Sequence, residues 1–327
     1  MTVNYRTPQL TVNCLRALAD EVKSVPGTRA VVVDNNSGDG SVDTIRTAIA
    51  VEAWDEWASV LPSDYNGGYA YGNNLAIRPA LQSPNPPAYV LLLNSDAQVR
   101  PGALKALVDY LEHHPTVGIV GSAMINPDGT SWSTAFRFPS ILSELESSVR
   151  LGIVSKLLSN WKVPQAMGDQ PQQVDWLPGA SMMIRREVFD SIGLMDEEYF
   201  LYYEETDFCL QAKRAGWACC YVPESQVMHI AGQSTGVTAR GTAPKRLPQY
   251  VFDSRRRYFV KNHGFLYAVL TDFVWSLGYS LWSVRRVLQR KPDTDPPYLF
   301  SDSLRNSVLF KFVEGLLTPA NNKQVQP

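Results

Sequence analysis

The chain is short of cysteine, of charge bias and of repetition, and each shortage removes a class of protein. Four cysteines occur in 327 residues, Cys14, Cys209, Cys219 and Cys220, and none forms a CxxC pair. Neighbouring residues on a strand point to opposite faces, so Cys219 and Cys220 make a poor metal cage or disulfide framework. A reducing cytoplasm is the compartment they suit. Lys and Arg number 30 against 32 Asp and Glu, a net charge of -2, without the basic excess of bulk nucleic-acid binding. The opening "MTVNYRTPQLTVNCLRAL" carries no apolar run of signal-peptide type, and its first strand reads as clipped. There is no internal repeat and no low-complexity tract. What remains is ordinary globular composition, 45% hydrophobic and 19% charged, sufficient for one large domain or a domain with an appendage.

Within that composition, strand-like and helix-like segments alternate over the first 125 residues. "TVNY" is a short strand, and Thr7 then Pro8 read as N-cap and first position of a helix through Ala19. "RAVVVD" is an apolar strand before a Gly/Asn/Asp loop and a helix from about Ser41. "SVLP" precedes a Gly-rich turn and another helix. "AYVLLLNSD" places four apolar residues, Val90 to Leu93, directly before Asn94-Ser95-Asp96, and Pro101 opens a helix over Gly102 to His113. "VGIVGSAMI" is the next strand. Short buried strands separated by helices predict an α/β fold, a mostly parallel sheet flanked by helices. Residues 140–173 read as a variable, partly helical insertion. Thr206 then caps a helix to Ala215 with Gly216 as its stop, strands follow at Ala218–Val222 and Gln226–Ile230, and a Gly/Thr/Ser/Arg-rich loop spans Gly232 to Pro248. The remainder is helical.

Ligands of open α/β sheets sit beyond the carboxyl ends of the strands, and the polar residues collect there. Asp34-Asn35-Asn36, Asn66-Gly67-Gly68 and Asn94-Ser95-Asp96 each end or follow a strand. Singly, Asp34 and Asp96 read equally as turn or cap residues, and Asn-Gly as a plain turn. "GYAYG" has the wrong glycine spacing for a GxGxxG fingerprint; close approach to a phosphate or ribose, with Asn73 and Asn74 in the first helical turn, suits it better. In the second half "YYEETD" gathers Glu204, Glu205 and Asp207 before a helix. Acids favouring a helix dipole explain one or two of these, whereas aromatic surroundings raise a carboxylate pKa and suit a general base. His229 ends the strand "QVMHI", either as a structural residue or, if its strand end meets Asp96, as a ligand for a divalent metal.

"VNYRTP", "VVVDNNSGDGS", "NGGYAYGNN", "LLLNSD", "LPGASMMIRREVFDSIGLMDEEYFLYYEETDFCLQAKRAGW" and "VPESQVMHIAGQS" stand in the order seen in family 2 glycosyltransferases of the GT-A fold. The chain resembles the rhamnosyltransferase-like members that build bacterial cell-surface polysaccharides, over about residues 1–235. The resemblance implies a Rossmann-like catalytic domain over 1–235, with a nucleotide-sugar half to about 125 and an acceptor and base half from about 174. A helical region at 249–327 would follow. It implies that Val3 and Tyr5 border the base of a dTDP- or UDP-sugar and that Asp34 bonds that base. Asn66, Gly67, Gly68 and Asn73 would shape the ribose and phosphate side, beside Asn94 and Ser95. Asp96 matches the last acid of the DxD-type motif that holds Mg2+ or Mn2+, His229 a position that completes the metal site in some members, and Gly179 and Ala180 the meeting place of donor and acceptor sugars. Glu205 falls where an Asp base is usual, with Glu204 as its rival. Asn94 replaces the motif's first acid, which shifts metal binding toward His229. The activity implied is metal-dependent, inverting transfer to a saccharide or polyprenyl-linked acceptor. A sugar nucleotidyltransferase or a non-catalytic carbohydrate-binding protein are the other readings. The former lacks its Gly-rich basic loop here, and the acids at 204–207 and Asp96 count against the latter.

Phe265 to Val284 is nearly long enough to span a bilayer. Asp272, Ser276, Ser280 and Ser283 share one helical face, aromatic and aliphatic residues fill the others, and basic residues flank both ends. An interfacial helix on anionic lipid is the expectation, at the inner face of the cell membrane. Packing against the catalytic domain or a second subunit, and a true span, are the alternatives.

Overall fold

The computed structural model describes residues 1–230 and 244–317; most of the loop expected over Gly232 to Pro248 lies outside them. Two compact units result: Met1–Phe138 with Val163–Thr242, and Pro139–Lys162 with Ala243–Pro327. Of the insertion expected over 140–173, the part to Lys162 therefore belongs with the C-terminal helices, and the rest stays with the first unit.

The first unit contains β1 (Thr2–Asn4), α1 (Pro8–Ser24), β2 (Ala30–Asp34), α2 (Ser41–Val51), β3 (Ala58–Pro62), α3 (Gly68–Leu81), β4 (Tyr89–Leu93), β5 (Ala97–Val99), α4 (Ala103–His113) and β6 (Val117–Ile125). The second contributes α5 (Ile141–Val149) and α6 (Gly152–Leu157). The chain then returns to the first unit with β7 (Gln172–Val174), β8 (Ser181–Arg185), α7 (Arg186–Ile192), α8 (Glu204–Arg214) and β9 (Ala218–His229). Strands β1, β2 and β3 form a parallel sheet. A six-stranded sheet runs β4-β8-β6-β9-β5, with β7 on β9. In it β6 and β9 are parallel, whereas β4/β8, β6/β8 and β5/β9 are antiparallel. Met1 accepts from the N–H of Leu93 at 3.0 Å and donates to the carbonyl of Leu91, which sets β1 beside β4.

Burial follows the pleat. Val90, Leu92, Met182, Ile184, Cys219 and Tyr221 face one core with α3, α7 and α8. The alternate residues Met183, Cys220 and Val222 face α4, and Leu93 joins the core under α1 and α2. A strand buried on both faces needs an unbroken apolar run, which accounts for Val90 to Leu93. All four cysteines are buried and free.

Several local expectations change. Helix α1 runs on to Ser24, and Thr7 makes no capping bond to it; its hydroxyl donates to Asn4 Oδ1 instead, at 3.2 Å. Thr206 lies inside α8, whose N-cap is Tyr203 in a left-handed conformation. The two expected strands at 218–222 and 226–230 are one strand, β9, with a register shift at Ser122/Ala123 of its partner β6.

The second unit continues with α9 (Gln249–His263), α10 (Phe265–Leu288), α11 (Leu299–Arg305) and α12 (Val308–Leu317). Gly278 of α10 lies against Ser148 and Val149 of α5, where any side chain would collide. Asp272 takes a guanidinium bond from Arg255 and the N–H of Val308 at 2.7 Å. Ser276, Ser280 and Ser283 are half-buried beside it. The buried face of α10 is Ala268, Thr271, Gly278, Tyr279 and Trp282; the half-buried Asp272 and serines lie along its flank, and a leucine-rich face turns to solvent. Among the described residues no helix is long and apolar enough to cross a membrane.

Candidate active site

Most site residues of the first unit come from a carboxyl end of a strand or the adjoining loop; Asn73 lies in α3, Glu205 in α8, and Gly179 and Ala180 just before β8. Asp34 ends β2 and is buried. Its carboxylate accepts from Asn4 Nδ2 at 2.6 Å, from the N–H of Ser37 at 3.0 Å and from Ser37 Oγ at 2.7 Å. Asn4 Oδ1 in turn accepts from Thr7 Oγ1, which lies 3.2 Å from Ser95 Oγ. A hydrogen-bonded chain therefore runs from the β2 tip to the β4 tip. Val3 packs its methyls on Gly72, and the Arg6 guanidinium covers the Tyr5 ring at 5.1 Å.

The Asn-Gly-Gly turn closes onto the same place. Asn66 Oδ1 accepts from Asn35 Nδ2 at 2.8 Å and from the N–H of Gly68 at 3.1 Å. Gly68 has φ +86, and a Cβ there would overlap the carbonyl of Phe200. That carbonyl accepts the N–H of Tyr69 at 2.8 Å, so only glycine lets the 196–203 loop seat on the start of α3. Asn73 donates to the carbonyl of Tyr69 at 2.9 Å, and its buried Oδ1 has no partner among the described residues. Asn74, grouped with it by sequence, instead fixes Met195 and Glu197.

The β4 tip meets the end of β9. Asp96 and His229 are both buried, with Asp96 Oδ1 3.1 Å from His229 Nε2 and Asn94 Nδ2 3.4 Å from that nitrogen. Trp132 lies tilted against the imidazole at 5.2 Å between centroids. The N–H of Asn94 donates to the carbonyl of Ala180 at 3.1 Å. One residue earlier, the N–H of Gly179 donates to Glu205 Oε1 at 3.1 Å. The Gly179 carbonyl accepts from the Tyr69 hydroxyl at 2.7 Å, and a Cβ at 179 would come within 2.6 Å of that hydroxyl.

Glu204 and Glu205 open α8, but only Glu205 reaches Gly179. Glu205 is half-buried; burial pushes its carboxyl up, and its own N–H and that of Gly179 pull it back. Glu204 is buried with Oε2 unpartnered among the described residues. Burial, then the charge of Glu205, hold it well above the glutamate range. Among the described residues no cluster of three or more His, Cys, Asp and Glu is placed to hold a metal; the Asp96–His229 pair is a two-residue set with Asn94 beside it. A cavity of about 500 Å3 opens at the other ends of β1, β2 and β4, lined by Met1, Ala30 and Tyr89 among others. It contains none of these residues and lies away from the ligand-binding end of such sheets.

Sequence reasoning passed over Tyr69, Asn4, Ser37 and Trp132. Tyr69 stood inside a quoted motif, yet its partner Gly179 is 110 positions away. Asn4 and Ser37 likewise stood inside quoted motifs, with partners 30 or more positions away or across a turn; no local signal marks Trp132.

This sheet order, with polar side chains gathered at the strand tips and a carboxylate beside them on α8, defines a glycosyltransferase of the GT-A fold. The chain belongs to Glycosyl transferase family 2, whose family model matches residues 1–193. It is 29% identical over 220 residues to the N-acetylglucosaminyl-diphospho-decaprenol L-rhamnosyltransferase of Mycobacterium tuberculosis, covering 63% of this chain and 67% of that one. To the dTDP-rhamnosyl transferase RfbF of Shigella flexneri it is 24% identical over 266 residues, covering 80% and 81%. Among solved structures it matches GalNAc-T7, crystallised with UDP, GalNAc and Mn2+, at a TM-score of 0.57 and 15% identity, covering 99% of this chain and 59% of that one. That likeness is one of fold.

Proposed function

We propose that the protein transfers rhamnose from a nucleoside-diphosphate sugar, dTDP-rhamnose first among the candidates, to a hydroxyl of a saccharide or polyprenyl-linked saccharide, with inversion at the anomeric carbon. The observation that carries this reading is the two-residue bridge Gly179-Ala180. It bonds Asn94 of the β4 tip on one side and Glu205 on the other. Diphosphate side and base are thereby fixed to one short piece of backbone. The names of the two rhamnosyltransferase relatives support the donor sugar and, in the mycobacterial one, a lipid diphosphate acceptor. Such an acceptor sets the work at the cytoplasmic face of the cell membrane.

Asp96 and His229 fit a divalent cation by their chemistry. Two ligands of one octahedral ion, each about 2.1 Å from it, stand about 3 Å apart, and these donors are 3.1 Å apart. Asp96 and His229 would hold Mg2+ or Mn2+, which would supply positive charge against the departing diphosphate. Asn94 supplies an amide where a second acid would stand, so the pair has less negative charge than two carboxylates. Asn66, Gly67, Gly68 and Asn73 line the ribose and phosphate side, and Val3, Tyr5 and Asp34 the base. Asp34 already accepts three bonds from Asn4 and Ser37, which leaves one acceptor site, on Oδ1, for a base. Glu205 takes the proton of the acceptor hydroxyl as that oxygen attacks from the face opposite the leaving diphosphate. Its raised pKa suits that task, and its hydrogen bond to Gly179 aims the carboxylate.

Product analysis with purified protein, nucleotide sugars and a lipid-linked or soluble saccharide acceptor tests the reading. Transfer from dTDP-rhamnose with inversion supports it. Turnover with another donor alone overturns the sugar assignment, and a retained configuration overturns the mechanism.

A further inference from the structure

The second unit has a surface that the transfer chemistry leaves unused. On α10, Leu266, Leu270, Phe273, Leu277, Leu281, Val284 and Leu288 lie 48% to 82% exposed. Their spacing is 4-3-4-4-3-4, an eleven-residue repeat. At 3.67 residues per turn this repeat nearly matches the straight helix, so the stripe runs almost straight for about 33 Å from Leu266 to Leu288 at 1.5 Å per residue. Phe265 at its start stacks edge-on with Phe312 of α12 at 5.1 Å. Leu309, Phe310, Phe312 and Val313 of α12 are exposed too. A soluble helix normally shows a polar face to water; here the inward face is Ala268, Thr271, Gly278, Tyr279 and Trp282, Asp272 and the serines are half-buried beside it, and the leucines point out.

Charge indicates what covers this face. Residues 139–162 and 243–327 contain 16 Lys and Arg against 8 Asp and Glu, in a chain whose totals are 30 and 32. Each of those eight acids has a basic partner in the same unit: Glu144 and Asp272 share Arg255, and the other six each meet one cation. The unit's positive surplus therefore stays uncompensated by its own acids. Exposed Lys261 precedes the stripe, and exposed Arg290 and Lys291 follow it. Long apolar faces flanked by cations insert into the headgroup boundary of anionic bilayers. Two copies meeting symmetrically through this face would bring two positive units together, which costs affinity.

We propose that the apolar face of α10 and α12 docks flat on an anionic lipid bilayer. The inference is independent of the transferase reading, since no residue in it belongs to the active site. Flotation of the full chain with vesicles of phosphatidylglycerol and phosphatidylcholine, and with phosphatidylcholine alone, tests it. The protein should float with the anionic vesicles, bind at least tenfold less to the neutral ones, and lose binding as salt rises. The triple variant Phe273→Glu, Leu277→Glu, Leu281→Glu should lose flotation at least tenfold while its hydrolysis of a soluble nucleotide sugar is unchanged. Circular dichroism of the variant checks folding, and Arg290→Glu with Lys291→Glu, which leaves the apolar stripe intact, should reduce anionic binding alone. Wild-type protein left in the lower fractions with anionic vesicles overturns the proposal. So does a wild-type dimer by light scattering that the triple variant converts to monomer, which assigns the face to a second copy. An inactive protein that floats leaves the docking face standing and rejects the transferase reading instead.

Discussion

Gly179 donates its N–H to Oε1 of Glu205 at 3.1 Å, and this bond separates the two adjacent glutamates of α8. Glu205 is half-open to the site and held by backbone; Glu204 is enclosed. Glu205→Gln keeps the hydrogen bond to Gly179 but cannot accept a proton. Transfer should fall by at least about 100-fold, within the usual share of general base catalysis, with donor binding by calorimetry within about threefold of wild type. Glu204→Gln should keep most of its turnover. The reverse ranking would move the base to Glu204.

Tyr69 acts one bond further back. Its hydroxyl donates to the Gly179 carbonyl, so Tyr69→Phe leaves that carbonyl short of a donor, at a cost of about 1–3 kcal/mol if it stays buried. Gly179 then holds Glu205 less firmly. Because that bond pulls the carboxyl pKa down, the acid limb of the kcat profile should move to higher pH while KM for donor changes little. A change in stability with an unmoved pH profile would make Tyr69 merely structural.

The Glu204 carboxyl gives a pH dependence with a definite sign. Its folded pKa is raised by burial and by Glu205, whereas the unfolded chain releases the proton near about 4.3. The folded state therefore binds the extra proton between those values. Stability from this group is full below the unfolded pKa and is lost as pH rises through the folded one. Glu204→Gln should melt higher than wild type at pH 8, with the advantage shrinking toward pH 4. A variant that melts lower at both pH values contradicts this.

Gly68 tests the seating of the aromatic loop. Alanine there meets both an unfavourable φ and the carbonyl of Phe200. Denaturant unfolding of Gly68→Ala should show a loss of more than about 1 kcal/mol, the cost of forcing a side chain into strained backbone. Full stability would mean that the loop lifts away easily.

How much of this could be read from the sequence depends on how local the signal is. The run Val90 to Leu93 and its polar tip identified β4 because a strand buried on both faces leaves a continuous apolar trace. β5 left none. It has three residues and exists through pairing with β9, Ala97 opposite His229. That same pairing brings His229 to Asp96 across 133 positions, so periodicity could place each residue on an element but not the two together; family resemblance supplied the link. The order β4-β8-β6-β9-β5 was likewise hidden, since β8 and β9 lie far along the chain from the strands they join. For α10, spacing separated a polar from an apolar face. It did not show that the remaining residues divide into a buried set with Tyr279 and Trp282 and an exposed leucine stripe, because that depends on where α5 packs.

The most direct test of the whole account measures sugar release from dTDP-rhamnose with Mn2+, with a chelator, and with Asp96→Asn and His229→Ala proteins. Turnover is expected with Mn2+, none with the chelator, and a raised Mn2+ requirement in both variants. Undiminished turnover in the chelator, or variants that respond to Mn2+ as wild type does, would contradict a metal-assisted transfer centred on Asp96 and His229.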